Sequence, residues 1–432
     1  MVARTISGLL GRRRSEPASP RLAAAAPAPR SPVRLVTHPH GAGGRVEGAA
    51  PDRHLVFVLD ATGSMQPWID ATKRVIRRML RASSEAGRPP YVATLVFYRD
   101  HDQHRREEFL TRTFGPTSDV AALEAELDSV RASGGGDGPE AVAEALQAAA
   151  GAITAADVPN AATVVTLLTD APPHGVCPGE HDNFPAGGPE GAVVDLFAQA
   201  DRLCDLGARL VTVVAGRHGQ AYDSQAGMGE CYVALAKRAS PHDDPIVVPL
   251  DAGPEVESML VSLVTGAAAV LEEDDRLFDA GEAVEEEVRA EFRSRGADAD
   301  EDAVNAEVST RLQARGVTAE EVRHDGSIAV DDKVVAKYVA AGSLQAVQEE
   351  VKVMLPEPSR ERYRCARVSR GGSGGAEEAA TETLAAKRVS SSAIHQVRTP
   401  VSAAKWAAVK GKRASKSERV SSRAPGAGLA EC

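Results

Sequence analysis

The chain has 432 residues, a net charge of −11 and 43% apolar residues, but only 4% aromatics. That length holds one large α/β domain with extensions, or two domains, and so aromatic-poor a composition requires an aliphatic core. No run of about 18 apolar residues occurs, which excludes a membrane-spanning helix. Five widely spaced cysteines (Cys177, Cys204, Cys231, Cys365 and Cys432) exclude a disulfide-built scaffold and point to a reducing, cytoplasmic setting.

Residues 1–46 hold eight Arg against one acid, Glu16, amid much Ala, Ser and Pro. With residues 1–51 read as a leader, that composition suits either a basic disordered segment or a transit peptide. A mitochondrial or plastid location is therefore the alternative to the cytoplasm. A secretory signal is not expected, because the apolar stretch Ile6 to Leu10 is too short before Arg12, Arg13 and Arg14.

From His54 the run LVFVLD has the length and β-branched content of a strand buried on both faces. A helix follows from Pro67, with Trp68, Ile69, Val75, Ile76 and Leu80 on or near one face. YVATLVFY at 91–98 predicts a second buried strand and 107–115 a weaker, more polar one. Asp119 can cap a helix over VAALEAELDSV, and another begins near Pro139 and runs to Ile153. Strands at 163–169, 209–215 and 246–250 then alternate with helices at 190–206, 229–239 and 254–271. This alternation predicts an α/β fold over residues 52–272: a doubly wound, Rossmann-like, mostly parallel sheet covered on both faces.

Beyond 272 the pattern changes. In an acidic extension, 273–355, Val284, Val288 and Phe292, then Val304, Val308 and Leu312, recur at four-residue spacing, as in solvated amphipathic helices or a coiled coil. Apolar segments at Val334 to Val339 and Leu344 to Leu355 can pack on the domain or bind a partner helix. Residues 356–432 are rich in Ser, Arg, Gly and Ala, which predicts a disordered tail. Its last 73 residues from 360 hold fifteen Lys and Arg against six Asp and Glu. Such a tail can contact acidic surfaces. Nucleic-acid binding is not expected, since Tyr363 and Trp406 are its only aromatics. The fragments RVSR at 367 and RVSS at 388 and 419 have the look of basophilic kinase acceptor sites.

Three loops carry the chemistry. The first strand ends in Asp60-Ala61-Thr62-Gly63-Ser64-Met65, placing a carboxylate and two hydroxyls at a strand's carboxyl end, where open sheets present their ligand sites. Gly134-Gly135-Gly136-Asp137-Gly138-Pro139-Glu140 adds two carboxylates, with glycines that allow close backbone approach. Leu167-Leu168-Thr169-Asp170-Ala171-Pro172 brings a third loop to a strand end. Hard oxygen donors of this kind suit Mg²⁺, Mn²⁺ or Ca²⁺. Taken alone, D-x-T-x-S is also a helix cap. His174, Cys177 and His181, with Asp182, have zinc-like spacing, but a fourth ligand is missing and an ordinary surface loop is the simpler reading. Tyr98, Arg99, Asp100, His101 and Asp102 end the second strand near the same face, where they shape ligand choice or form a local Arg99–Asp100 ion pair.

Together, D-x-T-x-S, G-G-G-D-x-P-E and T-D-A-P resemble the metal-ion-dependent adhesion site of von Willebrand factor A-like domains, including those of integrin β. The resemblance implies direct coordination by Thr62 and Ser64, action through water by Asp60 and Asp170, a ligand role for Glu140, and a neighbouring-ion position for Asp137. Integrin β places two acids after the first loop, whereas Gln66 and Pro67 stand here. DATGSM, PWI, FYRDH, GGGDGPE and DAPPHG are also similar to intracellular proteins that join such a domain to an alpha-type kinase. That likeness covers about half the chain; no kinase lobe follows. The resemblance implies a binding module, not an enzyme: Mg²⁺ (or Mn²⁺, Ca²⁺) receives an Asp or Glu of a partner protein. The rival readings are an enzyme-associated relative of such kinases, a metal-dependent enzyme, or a scaffold whose domain is only structural.

Overall fold

A computed structural model of the chain describes residues 36–37, 53–85, 91–101, 109–135, 138–156, 158, 162–177, 182–216, 227–251, 256–296, 300–324, 330–351 and 394–422. The main sheet contains β1 (Val36–Thr37), β2 (Arg53–Asp60), β3 (Val92–Tyr98), β4 (Thr111–Thr117), β5 (Ala162–Thr169), β6 (Arg209–Gly216) and β7 (Ile246–Asp251). Their order is β1-β4-β3-β2-β5-β6-β7, and every neighbouring pair is parallel except β3 with β4. The strands predicted from β-branched apolar runs are thus present, and β2 is central and buried along its whole length.

Alternation along the strands divides the core in two. Val56, Val58, Val96, Val165 and Leu167 face α3 (Val142–Ala156), α4 (Leu196–Asp205) and α5 (Met228–Ala239). Leu55, Phe57, Leu59, Leu95, Phe97 and Leu168 face α1 (Gln66–Glu85), α2 (Val120–Ser129) and α6 (Val256–Ser294). Asp119 caps α2 as expected, accepting from the Ala121 and Ala122 amides at 2.9 and 3.1 Å. The helix expected from 190 begins instead at Leu196, where Asp195 accepts from the Phe197 and Ala198 amides.

The boundary expected at 272 falls inside α6, a helix of 39 residues. Its first half covers the sheet through Val256, Leu260, Leu263 and Val264. Its second half forms another core with α7 (Glu301–Ala314) and α10 (Ala403–Ser422), built from Leu277, Val284, Val288, Val304, Val308, Leu312, Val401, Trp406 and Val409. The valines read as stripes of solvated helices therefore meet one another. Beside them β8 (Thr318–His324) pairs antiparallel with β9 (Ile394–Pro400).

Residues 394–422 depart from the expectation of a disordered basic tail. Trp406 is fully buried, its indole N–H donating to Glu285 at 3.1 Å, in a notch that exists because residue 281 is glycine: a Cβ there would come within 2.2 Å of the ring. Lys405 pairs with Asp274 at 2.7 Å, Lys410 with Glu285 and Glu301, and Lys412 with Asp243 and Asp274. The acidic extension supplies the counter-charge that makes the basic segment fold, a complementarity invisible when each is read alone. Residues 356–393 and 423–432, with the fragments at 367 and 388, lie outside the described residues.

The other apolar segment of the extension packs on its own domain. In α8 (Asp332–Ala340), α9 (Leu344–Ala346) and the turn Val347–Val351, the side chains of Val334, Val335, Tyr338, Leu344, Val347 and Val351 join the core over α3 to α5. Tyr338 stacks on Phe197 with ring centroids 6.1 Å apart.

Removing the indole leaves a cavity under α10 that the α6–α7 pair cannot collapse into. Trp406→Ala is expected to cost about 3–5 kcal/mol, read as a lowered urea midpoint, and Gly281→Leu, which fills the notch from the other side, should lower it too. An unchanged midpoint in both would show that α10 is not docked there.

Candidate functional site

The carboxyl ends of β2 and β5, with the segment leading into α3, carry the three loops, and main-chain hydrogen bonds tie them together. The Gly63 amide donates to the Gly134 carbonyl at 3.1 Å and the Ser133 amide to the Ala61 carbonyl at 2.9 Å, joining first loop to second. The Glu140 amide donates to Pro172 O at 2.9 Å and the His174 amide to Glu140 O at 3.3 Å, joining second to third. Gly134 and Gly135 sit at φ 88° and 93°, which L side chains rarely adopt. A Cβ added at Gly135 would stand 3.7 Å from both Glu140 Oε1 and Thr62 Cβ, so the second loop's backbone runs directly over that pair.

Of the expected site residues, Asp60, Thr62, Ser64, Glu140 and Asp170 are therefore on neighbouring loops at one edge of the sheet. Asp137 lies outside the described residues. Asp60 is fully buried and Glu140 is 4% exposed, Asp170 is half-buried, and Ser64 is exposed in the single turn Gly63–Met65. Asp60 Oδ1 accepts from the Thr62 amide at 2.8 Å and from its hydroxyl at 2.6 Å. Gln66, where integrin β has an acid, uses its side-chain oxygen to accept from the Ala132 amide at 3.0 Å, so it brackets the second loop.

Among the described residues no three His, Cys, Asp or Glu are grouped to hold a metal ion. A cation at these loops would therefore draw on hydroxyls as well as carboxylates. Thr62 and Ser64, with the buried Asp60 and Glu140 and the half-buried Asp170, form an all-oxygen set that fits a small hard cation.

A second cluster adjoins the site, and reading residue spacing alone did not join its members. His174 lies between two carboxylates, 2.8 Å from Asp100 and 2.9 Å from Asp182. Asp182 also accepts from the Gly175 and Phe184 amides. His101 stands 3.1 Å from Glu144 and packs against the rings of His174 and Phe184. Arg99 donates to the Arg131 carbonyl at 2.8 Å and covers Phe109, so its ordered role is to hold the second loop's approach. The 174–177 stretch is not the exposed loop expected: His174 and Cys177 are buried, because Gln348 bonds the carbonyls of Gly175 and Pro185, and Tyr338 packs against Val176. With both ring nitrogens of His174 given to carboxylates and Cys177 in the core, the zinc spacing has no zinc role among the described residues. His181 lies outside them. Glu144 gave no signal in sequence, since it sits in an Ala-rich helical run; FYRDH and DAPPHG were the visible halves of this cluster.

Residues 54–176 match the family model of the von Willebrand factor A domain. The chain carries a von Willebrand factor A domain. Such domains are typically protein-interaction modules and often bind a divalent metal. Similar solved structures include the pilus adhesin SpaC from Lactobacillus rhamnosus GG, in one form at 16% identity over 39% of this chain and 25% of that one, TM-score 0.29. Its open conformation matches at 15% identity over 51% of this chain and 30% of SpaC, TM-score 0.38. The conserved hypothetical protein BatB from Bacteroides thetaiotaomicron matches at 14% identity over 50% of this chain and 99% of that one, TM-score 0.32. The chain thus spans between a quarter and a third of the SpaC chains. No curated protein matches the sequence. No helix among the described residues is long and apolar enough to cross a membrane.

The His174 clasp gives the von Willebrand factor A domain a pH dependence whose sign is fixed. Burial lowers the basicity of His174, but hydrogen bonds and charges from Asp100 and Asp182 outweigh it and raise its pKa to about 9, above the ordinary 6.5. Burial raises the Asp182 carboxyl, yet the His174 bond and the Gly175 and Phe184 amides hold it below the usual range. The histidine's contribution, roughly 3 kcal/mol, is complete below pH 6.5 and is lost as pH rises through 9. Urea unfolding between pH 6 and 9.5 should show wild-type stability declining and His174→Gln nearly level; parallel profiles would refute the clasp.

Proposed function

We propose that this von Willebrand factor A domain is a divalent-metal-dependent protein-binding module that recognises an acidic side chain of a partner. The observation that carries the reading is the main-chain stitching of three loops, which gathers Asp60, Thr62, Ser64, Glu140 and Asp170 at the carboxyl edge of the sheet. Those residues would hold Mg²⁺ (or Mn²⁺, Ca²⁺). When bound, the ion supplies an electrophilic position that a partner's Asp or Glu can fill.

The chain's own residues do the rest. Thr62 binds Asp60 through both amide and hydroxyl, so the carboxylate is oriented before any ligand arrives. Gly134 and Gly135 bring the second loop down onto Thr62 and Glu140. Pro172 locks the third loop to Glu140 by accepting its amide. Ser64, exposed at the rim, faces the partner side.

The test is thermal melting of the full chain with Mg²⁺, Mn²⁺, Ca²⁺ or chelator. At a hundredfold excess over Kd the metal should raise the melting temperature by roughly 5 °C, since only the native state offers the loops. The double variant Asp60→Ala, Ser64→Ala should abolish the rise. No shift in the wild type would leave a scaffold whose domain is only structural.

A further inference from the structure

The strap made by α8, α9 and the turn Val347–Val351 lies outside residues 54–176, which match the family model, yet it grips the domain beside the loop site. Its helices are locally specified. Asp331 caps α8 by accepting the Lys333 amide at 2.9 Å, and Ser343 caps α9 by accepting the Ala346 amide at 3.2 Å. Val334, Val335 and Tyr338 then form one buried face packed on α5 and on Phe197 of α4.

Burial of that face explains why α8 docks, but not the polar fastenings at the strap's far end. Gln348 Nε2 donates to the carbonyl of Gly175 at 3.3 Å and to that of Pro185 at 2.8 Å, drawing two separate turns together. The Leu344 amide donates to Asp195 at 2.9 Å, and the Tyr338 hydroxyl to Val176 O at 3.4 Å. The domain is shaped to receive these groups. Gly175 and Gly187 sit at φ 76° and 91°. A Cβ at Gly175 would lie 2.7 Å from Gln348 Nε2, and one at Gly187 would lie 2.2 Å from Leu344 Cδ2, so strap and segment interlock where two side chains are absent.

Gly175 and Val176 immediately follow His174, whose amide donates to Glu140 O at 3.3 Å, while the Glu140 amide donates to Pro172 O at 2.9 Å. The 172–176 turn is thus pinned by Glu140 on one side and by the strap on the other. We propose that the strap is a brace for the loop site: Gln348 and Leu344 are positioning residues that hold this turn against Glu140 and thereby set the affinity of the loops for a divalent cation. The inference rests on the metal-site reading above. Neither residue is a ligand. A carboxylate on a backbone free to drift must be ordered when the ion binds, and that ordering is subtracted from the affinity; a turn already held from both sides removes the cost. Groups behind metal ligands act on affinity in this way without touching the ion. The binding unit on this account extends to Val351.

The experiment is calorimetric titration of the full chain with MgCl₂, for wild type, Gln348→Met, Leu344→Ala and Trp406→Ala, with amide hydrogen exchange of the metal-free wild type and strap variants. Gln348→Met keeps the side chain's length, removes its N–H donors, and keeps the question answerable if Leu344→Ala fails to fold. Trp406→Ala damages the separate core of α6, α7 and α10 and is the destabilised control. Mg²⁺ affinity is expected to fall about tenfold in both strap variants and to change less than about twofold in Trp406→Ala. Exchange at the His174 amide should rise about tenfold in the strap variants. Strap variants that bind Mg²⁺ as the wild type does, or that lose no more affinity than Trp406→Ala, overturn this inference alone. Unchanged exchange at His174 overturns the brace whatever the metal does. A wild type that binds no Mg²⁺ overturns the metal-site reading and this inference with it.

Discussion

Asp60 and Glu140 are carboxylates buried at the carboxyl edge of an almost wholly aliphatic sheet, and the surrounding structure is organised around that burial. Removing a charge from water costs several kcal/mol unless oriented donors replace the lost solvation. Here the Thr62 amide and hydroxyl serve Asp60, and the second loop's backbone closes over Glu140 and Thr62. Strand order places Asp60 on the central strand, between Tyr98 on one neighbour and Thr169 on the other, so the carboxylate has protein on every lateral side. Glycines at 134 and 135 are required because only they tolerate the left-handed backbone that brings the second loop this close.

The same economy of charge organises the layer beside the site. His174 is held as a cation between Asp100 and Asp182, which ties the end of β3 to the segment following β5. The strap from α8 to Val351 then presses on that segment, with Gln348 satisfying the carbonyls of Gly175 and Pro185 and the Leu344 amide satisfying Asp195. A stretch rich in Pro and Gly is thereby ordered by residues 149 to 173 positions away. The third loop is consequently supported from two directions, by Tyr232 from within the core and by the strap from outside.

The C-terminal module obeys a related rule. The acids of α6 and α7 and the bases of α10 would each favour a solvated state alone, but a fully buried Trp406 brings them into register. Exposed ion pairs contribute little individually. Asp274, Asp243 and the Lys405 stem are largely buried, however, so their pairing also satisfies groups that could not otherwise leave water.

What the sequence by itself determined is local and periodic. The β-branched runs specified the buried parallel strands, Asp119 its helix, and the three oxygen-bearing motifs their places at strand and helix ends, because each depends on neighbours within a few residues. The tertiary structure alone decided what meets what. The four-residue valine stripes of 284–312 carried no label saying they would face Trp406, and a basic tail has no visible partner until α6 supplies one. Tyr232 reaches Ala171 from 61 residues away, and Glu144 meets His101 across two elements. Periodicity reports which face of an element is apolar; the closing of long loops around a common core decides which polar groups are trapped together at its edge.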